Sequence, residues 1–402
     1  MTLNVDCLGG GALASIVALP SYVIIFGLGQ WAYLVPACVL TTIAVFKLSR
    51  YRGVRVSSWA QVYISLVCLW SFILMCTVYW TTSTYEYIYD FFRLALSLHL
   101  LVICLYVLND VVYRWFLRII VVVGLCTGIY VVHMYIYAGD LGGYAIPLLD
   151  YYLPISRLIA VAAVGCIAWW LTTSESKVAK GFSSVFLLAA LALSLGRGAL
   201  LSAVVISFLV GLYVLVTKPA RKQSVEIFMR DFMTRVAKVG LVTLLPALTF
   251  YLALNVERTA QRFERMLTGG DGMLDTRRPI WEKAAEAIAD SPIVGYGLSS
   301  SGNIVQHAHT HNMFMQVWID GGVISVLLLA FIVATPFSLY LYRYGFRWCS
   351  SSKAIPALAM FLFLVMEYSK SMNIYRGRAL FLIGLIAVWA VHTSEEHAIE
   401  EK

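Results

Sequence analysis

Charge is what this chain has least of. Of its 402 residues 13% are Asp, Glu, Lys or Arg against 60% apolar, and the mean hydropathy is +0.80. Soluble domains carry about 25% charged and 45–50% apolar residues, so the composition excludes a soluble globular protein and a disordered one alike. The eight cysteines form no CxxC and fall mostly inside apolar runs. They read as small core residues and carry no information about redox compartment. No Lys or Arg precedes the first apolar stretch in MTLNVDCLGG, which argues against a signal peptide and for a first span. There is no repeat of 20–50 residues and no low-complexity segment.

Apolar runs of span length recur from end to end. They predict an all-α polytopic membrane protein with about twelve transmembrane helices, near 8–28, 31–46, 57–80, 91–108, 115–137, 154–173, 182–195, 199–217, 236–255, 319–342, 354–372 and 379–392. At about 20 residues per span, twelve spans leave no room for a separate soluble domain. The predicted divisions are spans 1–9 over 1–255, one large, partly helical loop over 256–318, and spans 10–12 with a C-terminal tail over 319–402.

Sorting basic residues by alternate connections places 18 of the 30 on one side, including Lys47, Arg114, Lys180, Arg343 and Lys353. The positive-inside rule makes that side cytoplasmic and puts both termini there. The cluster Tyr79, Trp80, Tyr85, Tyr87 and Tyr89 then belongs to the outer aromatic belt. Arg93 and Arg157 lie near outer span ends, where a long side chain can snorkel. The other outer cations are Arg197, those of the loop, and Lys370, Arg376 and Arg378. The charge rule disfavours arginine there, so these positions ask for another explanation.

Arg197 lies between two glycines in SLGRGALLS. It is either a snorkelling side chain or a guanidinium whose planar fork takes two oxygens of an anion. In VERTAQRFERML, Arg258, Arg262 and Arg265 share a helix face with interleaved glutamates, so a solvated, salt-bridged face is the competing account. PIWEKAAEAIAD predicts a short helix with Pro279 in its first turn. Arg277 and Arg278 would stand at its N-terminus, where the helix adds its own attraction for an anion. His307, His309 and His311 share a face if extended and could ligate zinc, could be an exposed polar loop, or could hold a single catalytic base. No HExxH accompanies them, and no DxD-like acidic pair occurs in an outer loop. Glu367 is the one carboxylate within a span that asks for a role, with Lys370 as its ordinary partner.

Three motifs in order resemble the O-antigen ligase/polymerase family of bacterial inner-membrane proteins. They are SLGRGALLS, then TRRPIWEKAAEAIADSPIVGYG, then HTHNMF, and the resemblance covers roughly 185–335. The family pattern is a small-Arg-Gly turn at a span end, an Arg four residues before Trp, Pro-x-x-Gly-x-Gly, and His-Asn entering a helix. A leucine usual four residues after the histidine is Met315 here. Twelve spans, one large late loop and about 400 residues look most like the ligase branch. The resemblance implies transfer of O-antigen from undecaprenyl diphosphate to lipid A–core at the periplasmic face of the inner membrane. It implies Arg197 and Arg277 or Arg278 on the diphosphate and His311, followed by Asn312, as the catalytic histidine. Arg258, Arg262, Arg265, His309 and Glu367 are further site candidates. No metal, no other cofactor and no nucleic-acid partner is expected; membrane lipids surround the chain. The alternatives are an O-antigen polymerase and a lipid-linked-oligosaccharide transporter.

Overall fold

The computed structural model describes residues 5–25, 32, 34–50, 57–138, 146–173, 177–194, 196–216, 233, 236–237, 240, 244, 251, 273–307, 310–345, 353–371 and 373–393. In chain order the helices are α1 (Val5–Ile25), α2 (Leu34–Arg50), α3 (Ser58–Cys76), α4 (Thr84–Val107), α5 (Asp110–Ala138), α6 (Ile146–Thr172) and α7 (Lys177–Leu193). They continue as α8 (Arg197–Val216), α9 (Met273–Asp290), α10 (Ser300–Val305), α11 (Met313–Tyr344), α12 (Ala354–Ser371) and α13 (Arg378–Thr393), with 3-10 turns at Thr77–Tyr79 and Ile374–Arg376. Among the described residues there is no strand.

Five helical stretches are long and apolar enough to cross a membrane: Ser58–Tyr79, Thr84–Val107, Asp110–Ile136, Leu153–Thr172 and Met313–Tyr344. Shorter apolar helices cover Val5–Ala18, Val35–Ser49, Gly198–Val214 and Arg378–Thr393. The chain is therefore polytopic. The expected ninth span, 236–255, and the arginine stripe 258–265 lie almost wholly outside the described residues.

Among the described residues, cations of the two sets lie at opposite ends of the bundle. At one end Lys47 Nζ meets Asp6 Oδ1 at 2.7 Å and the Val107 carbonyl at 3.1 Å, and Lys353 Nζ meets Asp110 Oδ2 at 2.5 Å. The other end gathers residues 77–90, 194, 196–202, 291–307, 310–320, 367–371 and 373–376. α4 runs between the ends, with Asp90 near one and Val107 at the other.

Several helix starts differ from expectation. α4 begins at Thr84 rather than 91 because Asp90 and Arg93, which look like a span end, are buried within the helix and paired at 2.5 Å. Arg93 therefore does not snorkel. Of the five belt aromatics four are exposed; Tyr87 is buried and its hydroxyl donates to the Met75 carbonyl. α9 begins at Met273, so Pro279 lies inside it and removes one internal hydrogen bond without ending the helix. α11 begins at Met313, where the Asn312 side chain caps it by accepting from the amides of Phe314 (2.9 Å) and Met315 (3.2 Å).

α11 is also broken. Gly322 has φ 69° and ψ −172°, and a Cβ there would lie 1.9 Å from the Ile293 carbonyl oxygen. Only glycine tolerates that backbone. The break frees the carbonyls of Ile319 and Asp320 and the amide of Val323. The loop after α9 takes them up: Tyr296 N donates to Ile319 O (2.7 Å), Gly297 N to Asp320 O (2.8 Å), and Val323 N to Pro292 O (2.9 Å). Irregular backbone inside an apolar helix is tolerated where other protein groups satisfy it. A second, small apolar core lies beside this loop, in which Ile280, Ala284 and Ala287 of α9 pack with Val305 and Ile319.

Candidate functional site at one end of the bundle

The turn before α8 is built into the end of α6. Ser194 Oγ donates to Ser156 Oγ (2.9 Å), and Ser156 Oγ donates to the Ser194 carbonyl (3.2 Å). A Cβ at Gly196 would meet Ser156 Oγ at 2.2 Å, so that approach requires glycine. Arg197 opens α8 at this point. Beside it Lys370 Nζ donates to the Gly198 carbonyl (2.7 Å) and to Ser202 Oγ (2.5 Å), and pairs with Glu367 Oε1 at 2.7 Å. The expected Glu367–Lys370 pair is thus present, but it is only half of the cluster.

The other half is Arg157, the residue next to Ser156. Far from snorkelling, it is 7% exposed, with Nε 3.9 Å from Glu367 Oε2 and the guanidinium 5.7 Å from the centre of the Tyr368 ring. At 3.9 Å the pair is electrostatic rather than hydrogen-bonded. Arg157 Nε and Nη2 have no hydrogen-bond partner among the described residues. Buried guanidinium donors without acceptors are costly, and they are suited to the oxygens of an incoming anion.

The histidine element faces the same end. Trp281 Nε1 of α9 donates to the Thr310 carbonyl (3.0 Å), and Thr310 Oγ1 donates to the Asn312 carbonyl (2.7 Å). Between them His311 sits half-buried at φ 57°, its ring centre 5.0 Å from that of His307. A left-handed backbone at a residue other than glycine costs about 1–2 kcal/mol, and such strain collects at functional positions. His309 lies outside the described residues. Among the described residues no group of three or more His, Cys, Asp or Glu gathers as a metal site.

The two neighbouring arginines are distinguished. Arg278 Nε donates to Glu282 Oε1 at 2.9 Å with side chains 79% and 59% exposed, an ordinary surface pair one helical turn apart. Arg277 is half-buried. Because α9 begins at Met273, neither stands at a helix N-terminus, and the dipole argument for anion binding there does not apply.

Contacts carry the histidine element to the basic cluster. Gln316 Oε1 of α11 accepts from Ile374 N (3.2 Å), and Asp320 accepts from the Tyr375 hydroxyl (2.7 Å). The turn holding Ile374 and Tyr375 follows α12, which bears Glu367 and Lys370, and leads to Arg378, the half-buried first residue of α13. Burial and the neighbouring Asp320 carboxylate push the Tyr375 hydroxyl well above the usual phenol range, so it stays a donor. Loop residues complete the ring: Leu298 N donates to Thr77 Oγ1 (2.7 Å), Thr82 N to Ser300 Oγ (3.1 Å), and Ser299 Oγ to Asp90 Oδ2 (2.8 Å).

Arg157, Asp90 and Asp320 are the residues that sequence reasoning missed. Glu367 is not the one buried carboxylate of a helix, since Asp90 and Asp320 are buried too. The signal was available: an ionisable residue inside an apolar run asks for a partner wherever it occurs.

Residues 182–330, from within α7 to within α11, match a family model described as O-antigen ligase. The matched stretch holds Arg197, Arg277, Arg278, His311 and Asn312 but neither Arg157 nor Glu367. A comparison with curated proteins finds no match.

Proposed function

The family match supports membership of the O-antigen ligase family, and from that premise we propose that this chain is an O-antigen ligase. It transfers glycan from undecaprenyl diphosphate to a hydroxyl of lipid A–core at the periplasmic face of the bacterial inner membrane. One observation carries the reading: within and beside the matched stretch, a strained histidine and a partly unsatisfied cation cluster share one end of the bundle. That arrangement supplies a base and an anion site.

The donor diphosphate lies against Arg197 and Arg277, with Arg157 and Lys370 behind the Gly196–Gly198 turn. Arg157 reaches the anion with its free N–H groups, and Glu367 is the resident counter-ion of Arg157 and of the half-buried Lys370. His311 accepts the acceptor hydroxyl proton as that oxygen bonds to the anomeric carbon. The bond from that carbon to the diphosphate oxygen breaks, and its electron pair leaves on undecaprenyl diphosphate, where arginine stabilises the growing charge. A single displacement inverts the anomeric centre and runs without a metal. The family covers polymerases as well as ligases, and the two differ in product.

The test is purified protein with undecaprenyl-diphosphate glycan and lipid A–core, resolved on a gel with and without EDTA. Glycan-capped core, formed equally in both, is the expected result. Lengthened lipid-linked glycan with untouched core would make the chain a polymerase, and dependence on a restored divalent ion would overturn the metal-free mechanism.

Arg277 and Arg278 are expected to differ. Arg278→Ala removes an exposed pair worth about 0.3–0.5 kcal/mol and leaves transfer within about twofold. Arg277→Ala is expected to weaken donor use roughly tenfold or more, the effect of losing a charge-assisted hydrogen bond. Steady-state rates over a donor titration check both, and equal losses would remove the distinction.

A further inference from the structure

We propose that Asp320 is a positioning residue for His311, acting through the leading half of α11; the inference rests on the reading of His311 as the base. The break at Gly322 leaves Met313–Gly321 as a nine-residue half-helix with His311 and its Asn312 cap at the front. A piece this short, cut off from the helix behind it, is held by the packing of Met313, Val317 and Ile319 and by what its rear and sides bond. At the rear the freed carbonyls of Ile319 and Asp320 accept from Tyr296 and Gly297, and Trp318 Nε1 donates to Pro292 O at 3.1 Å.

The side contacts centre on Asp320. It is fully buried, and its carboxylate takes Ser301 N at 2.7 Å on Oδ1 and Ser301 Oγ at 3.2 Å and the Tyr375 hydroxyl at 2.7 Å on Oδ2. Among the described residues it forms no ion pair; all three donors are neutral. One turn ahead, Gln316 takes Ile374 N on the same side of the half-helix. A buried carboxylate is costly to keep without a cation, and an apolar side chain would fill the place more cheaply. What the carboxylate adds is a joint between three separate pieces of chain: the loop at Ser301, the half-helix, and the turn that leads from Glu367 and Lys370 to Arg378. It sets the distance from the histidine to the cations.

The lever is long enough to matter. From Asp320 forward to Met313 is about 10 Å at 1.5 Å per residue, and His311 lies two residues beyond. A tilt of about 5° at the break therefore moves the histidine by roughly 1 Å, and a misplacement of that size can cost on the order of 10² in rate.

The experiment compares wild type, Asp320→Ala, Asp320→Asn, His311→Ala and the His311→Ala/Asp320→Ala double variant. Each is full-length protein in detergent, with rates normalised to the folded fraction. Asp320→Ala is expected to lose about 10² in kcat with donor KM within about twofold. Asp320→Asn is expected to keep at least a tenth of wild-type activity, since its oxygen still accepts from Ser301 N and both hydroxyls can turn to accept from its amide. Residual transfer by the double variant is expected to match His311→Ala alone, because a residue that acts through the histidine has nothing further to lose. Independent, multiplying losses would overturn the proposal, as would an undiminished Asp320→Ala rate. Hydrogen exchange supplies an arm that does not need activity. Protection is expected to fall in Asp320→Ala over both 292–301 and 311–321. A fall confined to 292–301, or none, overturns the proposal. If wild type transfers no glycan the reading of function falls, while the exchange arm still decides whether Asp320 holds the histidine segment.

Discussion

Replacing His311 by Ala is expected to lower glycan transfer by about 10²–10⁴, the range for loss of a general base, with donor binding little changed. The prediction follows from position. His311 immediately precedes the capped start of α11, and the Thr310 carbonyl before it is tied to Trp281 of α9. The residue's φ of 57° complicates a simple reading, because Ala at a left-handed position also alters the backbone. His311→Asn separates the two effects, since Asn adopts that region more readily than other residues and has no basic nitrogen. Both variants are expected to fail equally in a rate measurement with the reconstituted donor and acceptor. Activity in the Asn variant with loss only in Ala would assign the effect to backbone and sink the histidine as base.

Among the described glycines Gly322→Ala is expected to be the most damaging methyl addition, at roughly 3 kcal/mol from the disallowed backbone region alone. The added carbon would also lie 1.9 Å from the Ile293 carbonyl oxygen and 2.7 Å from Val294 N, backbone atoms that cannot swing aside. The loop 292–297 would have to leave the break, and with it go the partners of Ile319 O and Asp320 O. The neighbouring Gly321→Ala is the control. Its methyl would meet Ser325 Oγ at 2.3 Å and Leu74 Cδ2 at 2.7 Å, both ends of side chains with other rotamers. Thermal unfolding in detergent and protease sensitivity of 291–307 should show a large loss for Gly322→Ala and a smaller one for Gly321→Ala. Equal stability of the two would mean that the break does not hold the loop.

How far the site was legible depends on the residue. The glycine-flanked turn at Arg197 and the Glu367–Lys370 pair needed only local spacing, because turn and i,i+3 contacts join residues a few positions apart, whereas Asn312 at a helix entry followed from the family resemblance. The start of α9 was misjudged for a related reason: Pro279 is a start signal by local rule, yet the helix continues six residues ahead of it. For Arg157 the local sequence showed only that a partner was needed, not which residue supplies it. Its carboxylate partner is 210 positions further along the chain, and hydropathy scores a paired, buried arginine and a snorkelling one alike.

Composition and run length together were enough to make this an α-helical, polytopic protein: backbone in lipid is satisfied only within helices or a closed barrel, and apolar runs of about 20 residues fit a spanning helix where a barrel strand needs only about 9–11. The segregation of cations was likewise written in the order of the loops, and among the described residues Lys47 and Lys353 lie at the end opposite Arg157 and Lys370. Which way buried charges face, where α11 breaks and what fills the break were decided by tertiary structure. Those features depend on groups such as Ser301, Asp320 and Tyr375 that meet only after helices pack. A hydrogen bond between distant residues leaves no period in the sequence, and its strength depends on the burial that packing creates.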